Sequence, residues 1–451
     1  VFEASDAVGG MARSLELWGQ KVDLGPHRFF SSDARVNRLW LEVVGRSYRM
    51  VDRLTRIYYR RRFFDYPLRP RNALLNMGLG NAVICLASYL REQVSARGGR
   101  PDGGDSFESW VISRFGRRLY EMFFESYSEK LWGVPCSELD ADFAAQRIKK
   151  FSLGEAVKGA LGLGGRHHRT LVDRFAYPLE GTGAVYEGMA SAVSRQGGRV
   201  LLDHRIAGVV TDGKRVTSVL SEKEGVLAYD HVVSTMPLTM LVRSLGVLPP
   251  DVEQAIGTLR YRNTVLVFLR VSGSGLFPDQ WLYVHSPELQ MGRVTNFSNW
   301  VDTLCPDPTH TVLALEYWCY DEDQLWLEGD ALLVERARQE IARTGLVAEQ
   351  SVKDGQVVRL PWSYPVYSRG YKQPLAVVAS FLKTFQGIIA IGRYGAFKYN
   401  NQDHSILMGL LAAENLAQGA AHDLWQVNTD YEAYQEAAVI TETGLVEKPG
   451  G

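Results

Sequence analysis

Cysteine is scarce: there are 4 in 451 residues. Cys85, Cys136, Cys305 and Cys319 form no CxxC pair, which excludes a zinc ribbon and a disulfide framework. A reducing cytoplasm is the expected compartment. An excess of either charge is also lacking. The 50 Lys+Arg stand against 51 Asp+Glu, whereas a nucleic-acid binder shows a basic surplus. The histidines have no metal-ligand spacing, adjacent His167 and His168 included, and no Ser-His-Asp set is recognisable, so neither a metal centre nor a triad is expected. A GxGxxG phosphate loop is missing too. Gly181-Thr182-Gly183 and residues 162–165 lack a preceding strand and an acid about 20 residues on. One charge-free run approaches bilayer length, residues 72–90, but Asn72, Asn76 and Asn81 are costly in hydrocarbon. A buried or surface amphipathic helix is expected there. A monotopic membrane contact helped by Arg60, Arg61, Arg62, Arg69 and Arg71 is the alternative.

What is present is core. The chain is 46% hydrophobic and 11% aromatic, enough for an enzyme of two or three structural regions. Strand-like and helical runs alternate, predicting an α/β (α+β) architecture. Residues 1–3 read as the end of a strand, and residues 33–150 as mainly helical, with three-and-four apolar spacing in 110–132. A turn-then-helix signal covers 178–193. Residues 199–219 read as a hairpin turning at Asp212-Gly213. Alternating β-branched runs at 263–271, 311–317 and 351–359 predict a second, sheet-containing region, with a helix at 330–344. Residues 387–392 read as a short apolar strand, followed by a helix at 403–416. After Asp423 the chain turns polar and is expected to be a docked or frayed tail.

Two runs carry a cofactor signal. Glu3 closes a strand where a dinucleotide fold places its ribose-binding acid. It is followed by Gly9, Gly10, Met11, Ala12, Arg13 and Ser14, where paired glycines let backbone approach a pyrophosphate and Arg13 can neutralise it. At the other end, Gly392, Arg393, Tyr394 and Gly395 lead through Tyr399, Asn401, Asp403, His404 and Ser405 into a helix, whose N-terminus suits an anion.

Together these runs resemble the FAD-contacting ends of the flavoproteins related to amine oxidase and protoporphyrinogen oxidase, and more closely the UDP-galactopyranose mutases. The resemblance implies a discontinuous Rossmann-like FAD-binding domain over residues 1–45, 170–245 and 385–425. A mainly helical substrate region over 46–169, an antiparallel-sheet substrate region over 246–384 and a tail over 426–451 complete the expected arrangement. It also implies adenine contacts from the hairpin bearing His204, Arg205 and Ile206. The first strand, glycine loop and first helix are then expected in roughly 30 residues before Val1, so the chain reads as N-terminally truncated and is expected to bind FAD poorly by itself.

The middle of the chain extends the likeness. Gly25-Pro26-His27 resembles the segment that the mutases place over the flavin. The run Phe123-Phe124-Glu125-Ser126-Tyr127-Ser128-Glu129-Lys130-Leu131-Trp132 resembles their Phe-Phe-x-x-Tyr-x-x-Lys-x-Trp pattern. By that resemblance Phe123, Phe124, Tyr127 and Trp132 line a nucleotide pocket; a core helix would use the same spacing. Arg147, Arg293, Tyr364 and Tyr399 are expected to hold a diphosphate, and His27 to face the flavin. The implied activity is pyranose/furanose isomerisation of a nucleotide sugar through a reduced-flavin N5 adduct. A net FAD-dependent oxidoreductase is the alternative, with the same fold. The chain departs from the mutase pattern at Asn400-Asn401-Gln402-Asp403, where one acid is an amide, and at Arg28 and His404-Ser405.

Overall fold

The computed structural model describes residues 1–97, 105–142, 174–427 and 438–447. Its organising element is a seven-stranded sheet. In spatial order the strands are Val352–Pro365, Tyr261–Ser272, His310–Cys319, Arg293–Asn296, Trp281–Val284, Thr55–Tyr59 and Arg62–Asp65. Strand Tyr261–Ser272 is buried over almost its whole length, with an apolar run from Val265 to Leu269, because both of its faces are covered. The two-residue side-chain period sends Val265, Val267, Leu269 and Val271 to one face, against Leu333, Ala337 and Ile341 of helix Asp330–Arg343. Leu266 and Phe268 go to the other, against Leu17, Val22, Phe175 and Trp300. Each such fully buried side chain contributes roughly 1.5–3 kcal/mol.

Three strands interrupt the segment expected to be mainly helical: Tyr48–Asp52, Thr55–Tyr59 and Arg62–Asp65. Their β-branched and aromatic residues are stabilised by partners far along the chain. Thr55 pairs with Trp281 in parallel, so the sheet expected to be antiparallel is mixed. Helix Ala34–Val44 precedes these strands, and the helical run resumes at Pro70–Met77 and Leu79–Arg97, separated at Gly78, whose φ of 79° is unfavourable for other residues. They continue in Phe107–Phe115, Arg117–Phe123 and Glu125–Trp132. No helix among the described residues is long and apolar enough to cross a membrane.

The remaining layer is built from parallel pieces. Phe2 bridges Leu201 in parallel, and Val232–Ser234 pairs in parallel with Ile388–Ala390. The hairpin turning at Asp212-Gly213 forms as expected, Ile206–Asp212 against Arg215–Ser221. Helix Gly183–Arg195 follows a tight turn in which a Cβ on Gly181 would stand 2.5 Å from the Ser14 hydroxyl. Of the docked or frayed tail expected, residues 438–447 take the docked form. Ala438–Thr441 and Gly444–Glu447 form a hairpin with Val439 and Ile440 buried, tied down where the Tyr48 hydroxyl donates to the Thr441 carbonyl at 2.6 Å.

Candidate active site

One cleft of about 1610 Å³ runs between the parallel layer and the seven-stranded sheet. At one end Glu3, Gly9, Gly10, Met11, Ala12, His204, Arg205 and Ile206 line it. The Glu3 carboxylate accepts hydrogen bonds from the Ser5 amide at 2.9 Å and the Ser5 hydroxyl at 2.8 Å, which fixes its orientation. Gly9 has φ 102°, and a Cβ there would press on the Arg13 backbone at 3.3 Å, so this turn needs glycine. Arg13 itself stands behind the lining, 3.3 Å from Asp6.

Gly392, Arg393 and Asn401 to Ser405 line the middle of the cleft. Helix Gln402–Gln418 starts here. Asn401 caps it in a reciprocal box with His404, whose Nδ1 accepts from the Asn401 amide at 3.2 Å. Helix-terminal N–H groups favour an anionic or electron-rich ring edge. Gly395 stays small because a Cβ would lie 2.8 Å from the Ser234 carbonyl.

The far end is aromatic and cationic. His27, Arg28, Trp281, Tyr283, Arg293, Trp362 and Tyr399 line it. Arg293 faces Glu316 directly across two strands and is held by it in a fork, Nε to Oε1 at 2.6 Å and Nη2 to Oε2 at 2.5 Å. Burial pulls the guanidinium pKa down, but Glu316 outweighs this and carries it well above the ordinary arginine value. Nη2 also donates to the Tyr364 hydroxyl at 3.3 Å. Tyr364 stacks on Tyr399 at 5.5 Å, and burial pushes its hydroxyl up to about 12. Arg393 lies over both rings, 4.6 and 4.4 Å from their centroids, and donates to the Ser363 and Asn400 carbonyls. Burial, then Arg293 and Arg393, lowers the pKa of His27 to about 3, so its imidazole is neutral at neutral pH. Its buried Nδ1 has no protein partner.

The structure thus brings His27, Arg293, Tyr364 and Tyr399 together; Arg147 lies outside the described residues. The aromatic run on the helices does not line the cleft. Phe123 packs edge-on against Phe64 at 5.0 Å and Phe124 stacks on Phe115 at 5.4 Å, both in the helical core. Tyr127 meets Tyr283 at 5.6 Å, and fully buried Trp132 meets Tyr399 at 5.8 Å, so both sit one ring behind the lining. Sequence reasoning missed Glu316, Trp281, Tyr283 and Trp362. A lone acid inside the apolar run His310–Cys319 was a usable signal, because a buried carboxylate requires a partner.

A parallel-stranded layer, a glycine turn beside a ribose-type acid and a helix N-terminus on one cleft are the parts of a flavin-dependent enzyme, here set against a sheet-built second region. The chain belongs to the flavin containing amine oxidoreductase family, whose model matches residues 1–387. Among solved structures it is similar to a reduced UDP-galactopyranose mutase (21% identity, TM-score 0.84, covering 95% of this chain and 90% of that one). It is also similar to a protoporphyrinogen-oxidase-like protein from Exiguobacterium sp. 255-15 (17%, TM-score 0.68, 92% of each chain). A third is putrescine oxidase bound to putrescine (14%, TM-score 0.62, 93% of each chain). The protein is an FAD-dependent enzyme of this fold.

The residues present fit FAD. The Gly9-Gly10 turn would hold the diphosphate, Glu3 the ribose, His204 to Ile206 the adenine, and Gly392, Asn401 and Asp403 to Ser405 the ring system. When bound, the flavin supplies the redox chemistry.

Proposed function

We propose that this enzyme isomerises a nucleotide sugar between pyranose and furanose forms. The observation that carries the reading is the Arg293–Tyr364–Tyr399 cluster with Arg393 beside it, at the far end of the cleft. Four arginines line the cleft, Arg28, Arg205, Arg293 and Arg393, against the two carboxylates Glu3 and Asp403; Glu316 balances Arg293 from behind and Arg205 stands at the Glu3 end, so at the far end the positive field comes chiefly from Arg393, whose donors meet neutral carbonyls. A wall of this sign suits a diphosphate and opposes the ammonium group of an amine. Tyr399 borders the cleft and orients the leaving diphosphate without taking its charge, while buried Tyr364, stacked behind it, holds the Tyr399 ring and Arg293 in place. His27 stays neutral and hydrogen-bonds as imidazole; it is not a source of protons near neutral pH. Trp281, Tyr283 and Trp362 enclose the sugar and exclude water.

The test uses the chain loaded with FAD and reduced with dithionite, incubated with UDP-galactopyranose and with UDP-galactofuranose under nitrogen. Interconversion without consumption of any electron acceptor is expected. Absence of interconversion, together with one acceptor reduced per turnover of an amine or polyene in air, would overturn the mutase reading in favour of a net oxidoreductase.

A further inference from the structure

Helix Leu79–Arg97 is amphipathic in the reverse sense. Its inward residues are polar or small. Asn81 donates to the Met77 carbonyl at 3.1 Å and accepts from Arg118 at 3.3 Å, the Ser88 hydroxyl accepts from the Arg118 amide at 3.2 Å, and Gln93 donates to the Ser113 carbonyl at 3.1 Å. Its backbone lies so close to Gly116 that a Cβ there would stand 2.7 Å from the Tyr89 nitrogen. The outward residues are aliphatic: Leu79, Val83, Leu86, Leu90 and Val94 are all exposed, Leu79 by 84%. Their spacing of four, three, four and four places them on one face over about 22 Å of helix. Ile84 adjoins the stripe, and Leu74 and Leu75 of the preceding helix extend the exposed apolar surface along the chain. A stripe of this kind is ordinarily turned into the core or covered by a partner.

The surrounding charge selects the partner. Exposed Arg60, Arg61 and Arg62 occupy the end of a strand hairpin, and Arg62 donates to the Asn76 carbonyl, three residues before the stripe begins. Arg69 is exposed just ahead of the first helix, and no carboxylate occurs between Asp65 and Glu92. Two copies of this face would bring arginines against arginines. An anionic bilayer supplies both requirements, acyl chains for the stripe and phosphates for the arginines. We propose that the Leu79–Val94 face docks on anionic membrane surfaces, with the helix lying in the interfacial plane. This proposal does not depend on which reaction the cleft performs.

The experiment is flotation of the full chain with vesicles of equimolar phosphatidylglycerol and phosphatidylcholine, and with phosphatidylcholine alone. Binding to the anionic vesicles is expected, weakened by high salt and by removal of the anionic lipid. Leu86→Glu with Leu90→Glu should lower partitioning at least about tenfold, since it removes buried apolar area and adds negative charge. Arg60→Gln with Arg61→Gln should lower it about fivefold for each charge removed. The melting temperature should change by no more than a few degrees in either variant, because Leu86 and Leu90 are 46% and 53% exposed and the only ring that Arg60 overlies is that of its neighbour Tyr59. Failure to float with anionic vesicles overturns the proposal. So does a wild-type dimer that the leucine variant converts to monomer without any vesicle binding, which would assign the face to a second copy. A fall of many degrees in the leucine variant's melting temperature would show that another part of the same chain covers the stripe, and would overturn it equally.

Discussion

Replacing Glu316 tests the cationic end of the cleft most directly. The Glu316 side chain is 2% exposed and its Arg293 partner 13% exposed, with both guanidinium nitrogens of the fork within 2.6 Å of a carboxylate oxygen. Removing the carboxylate leaves the guanidinium against the Tyr364 hydroxyl and the Trp318 ring. Breaking a buried pair from one side costs about 3–5 kcal/mol. Arg293 borders the cleft, where water reaches it, so the lower limit applies: about 3 kcal/mol for Glu316→Ala. Glu316→Gln keeps one amide oxygen as acceptor and should cost about 2 kcal/mol. The double replacement Arg293→Met with Glu316→Leu removes both charges and should return to within about 1 kcal/mol of the parent. Because the pKa of Arg293 is raised, the stability of the pair is present below the ordinary arginine value and is lost only above it. These differences should therefore stay constant across the neutral range. Urea unfolding followed by tryptophan fluorescence measures all four proteins. A Glu316→Ala variant within about 1 kcal/mol of the parent, or a double variant no better than the single, would refute the reasoning.

His285 is buried, stacks on Tyr127 at 4.6 Å, and has its pKa lowered to about 3 by burial and then by Lys130. A depressed histidine gives its full stability above about pH 6.5 and loses it as pH falls toward 3, so moving from pH 7 to pH 5 should cost about 2 kcal/mol at this residue. His285→Gln should flatten that part of the urea-midpoint profile; an unchanged profile would show that the imidazole already protonates freely. Gly292→Ala would put a Cβ 1.9 Å from the Trp318 ring, so the buried indole must move. A loss of about 1–3 kcal/mol in urea unfolding is expected, and a neutral result would mean that the ring has room elsewhere. Arg393→Gln removes a charge whose own partners are neutral carbonyls. UDP binding measured by calorimetry should weaken about tenfold, since a unit charge even about 10 Å away at an effective dielectric of 20 is worth roughly 1.7 kcal/mol. Equal affinity would remove Arg393 from the recognition of the diphosphate.

The elements most legible in the sequence were those whose cause is local. Asp212-Gly213 dictates a hairpin turn because Gly213 takes φ 58°, and the β-branched runs of the sheet region appear as strands at the expected places. One end and the middle of the cleft were legible for the same reason: Glu3, Gly9 and Gly392 act through backbone conformation and short-range geometry. Strand Thr55–Tyr59 was not legible, because its partner Trp281 lies in another part of the chain and only the assembled sheet selects strand over helix. Nor could three-and-four spacing decide between core and cleft for Phe123, Phe124, Tyr127 and Trp132. Their period fixes a face, but which neighbour that face meets is a tertiary fact.

The same distinction governs the charges of the site. In sequence Arg293 falls where the resemblance places a diphosphate partner, and Arg393 belongs to the run that suggests the cofactor. In the fold they differ. Arg293 has its charge balanced by Glu316, so its net field is small and its value lies in holding the Tyr364 hydroxyl in a fixed place. Arg393 satisfies its donors on the Ser363 and Asn400 carbonyls and packs over Tyr364 and Tyr399, which immobilise it without neutralising it. Its donors are already used, so it attracts an anion by its field more than by new hydrogen bonds. A preorganised charge of that kind needs no rearrangement when negative charge develops beside it, and under the proposed diphosphate chemistry this makes Arg393 the stronger electrostatic element of the cleft.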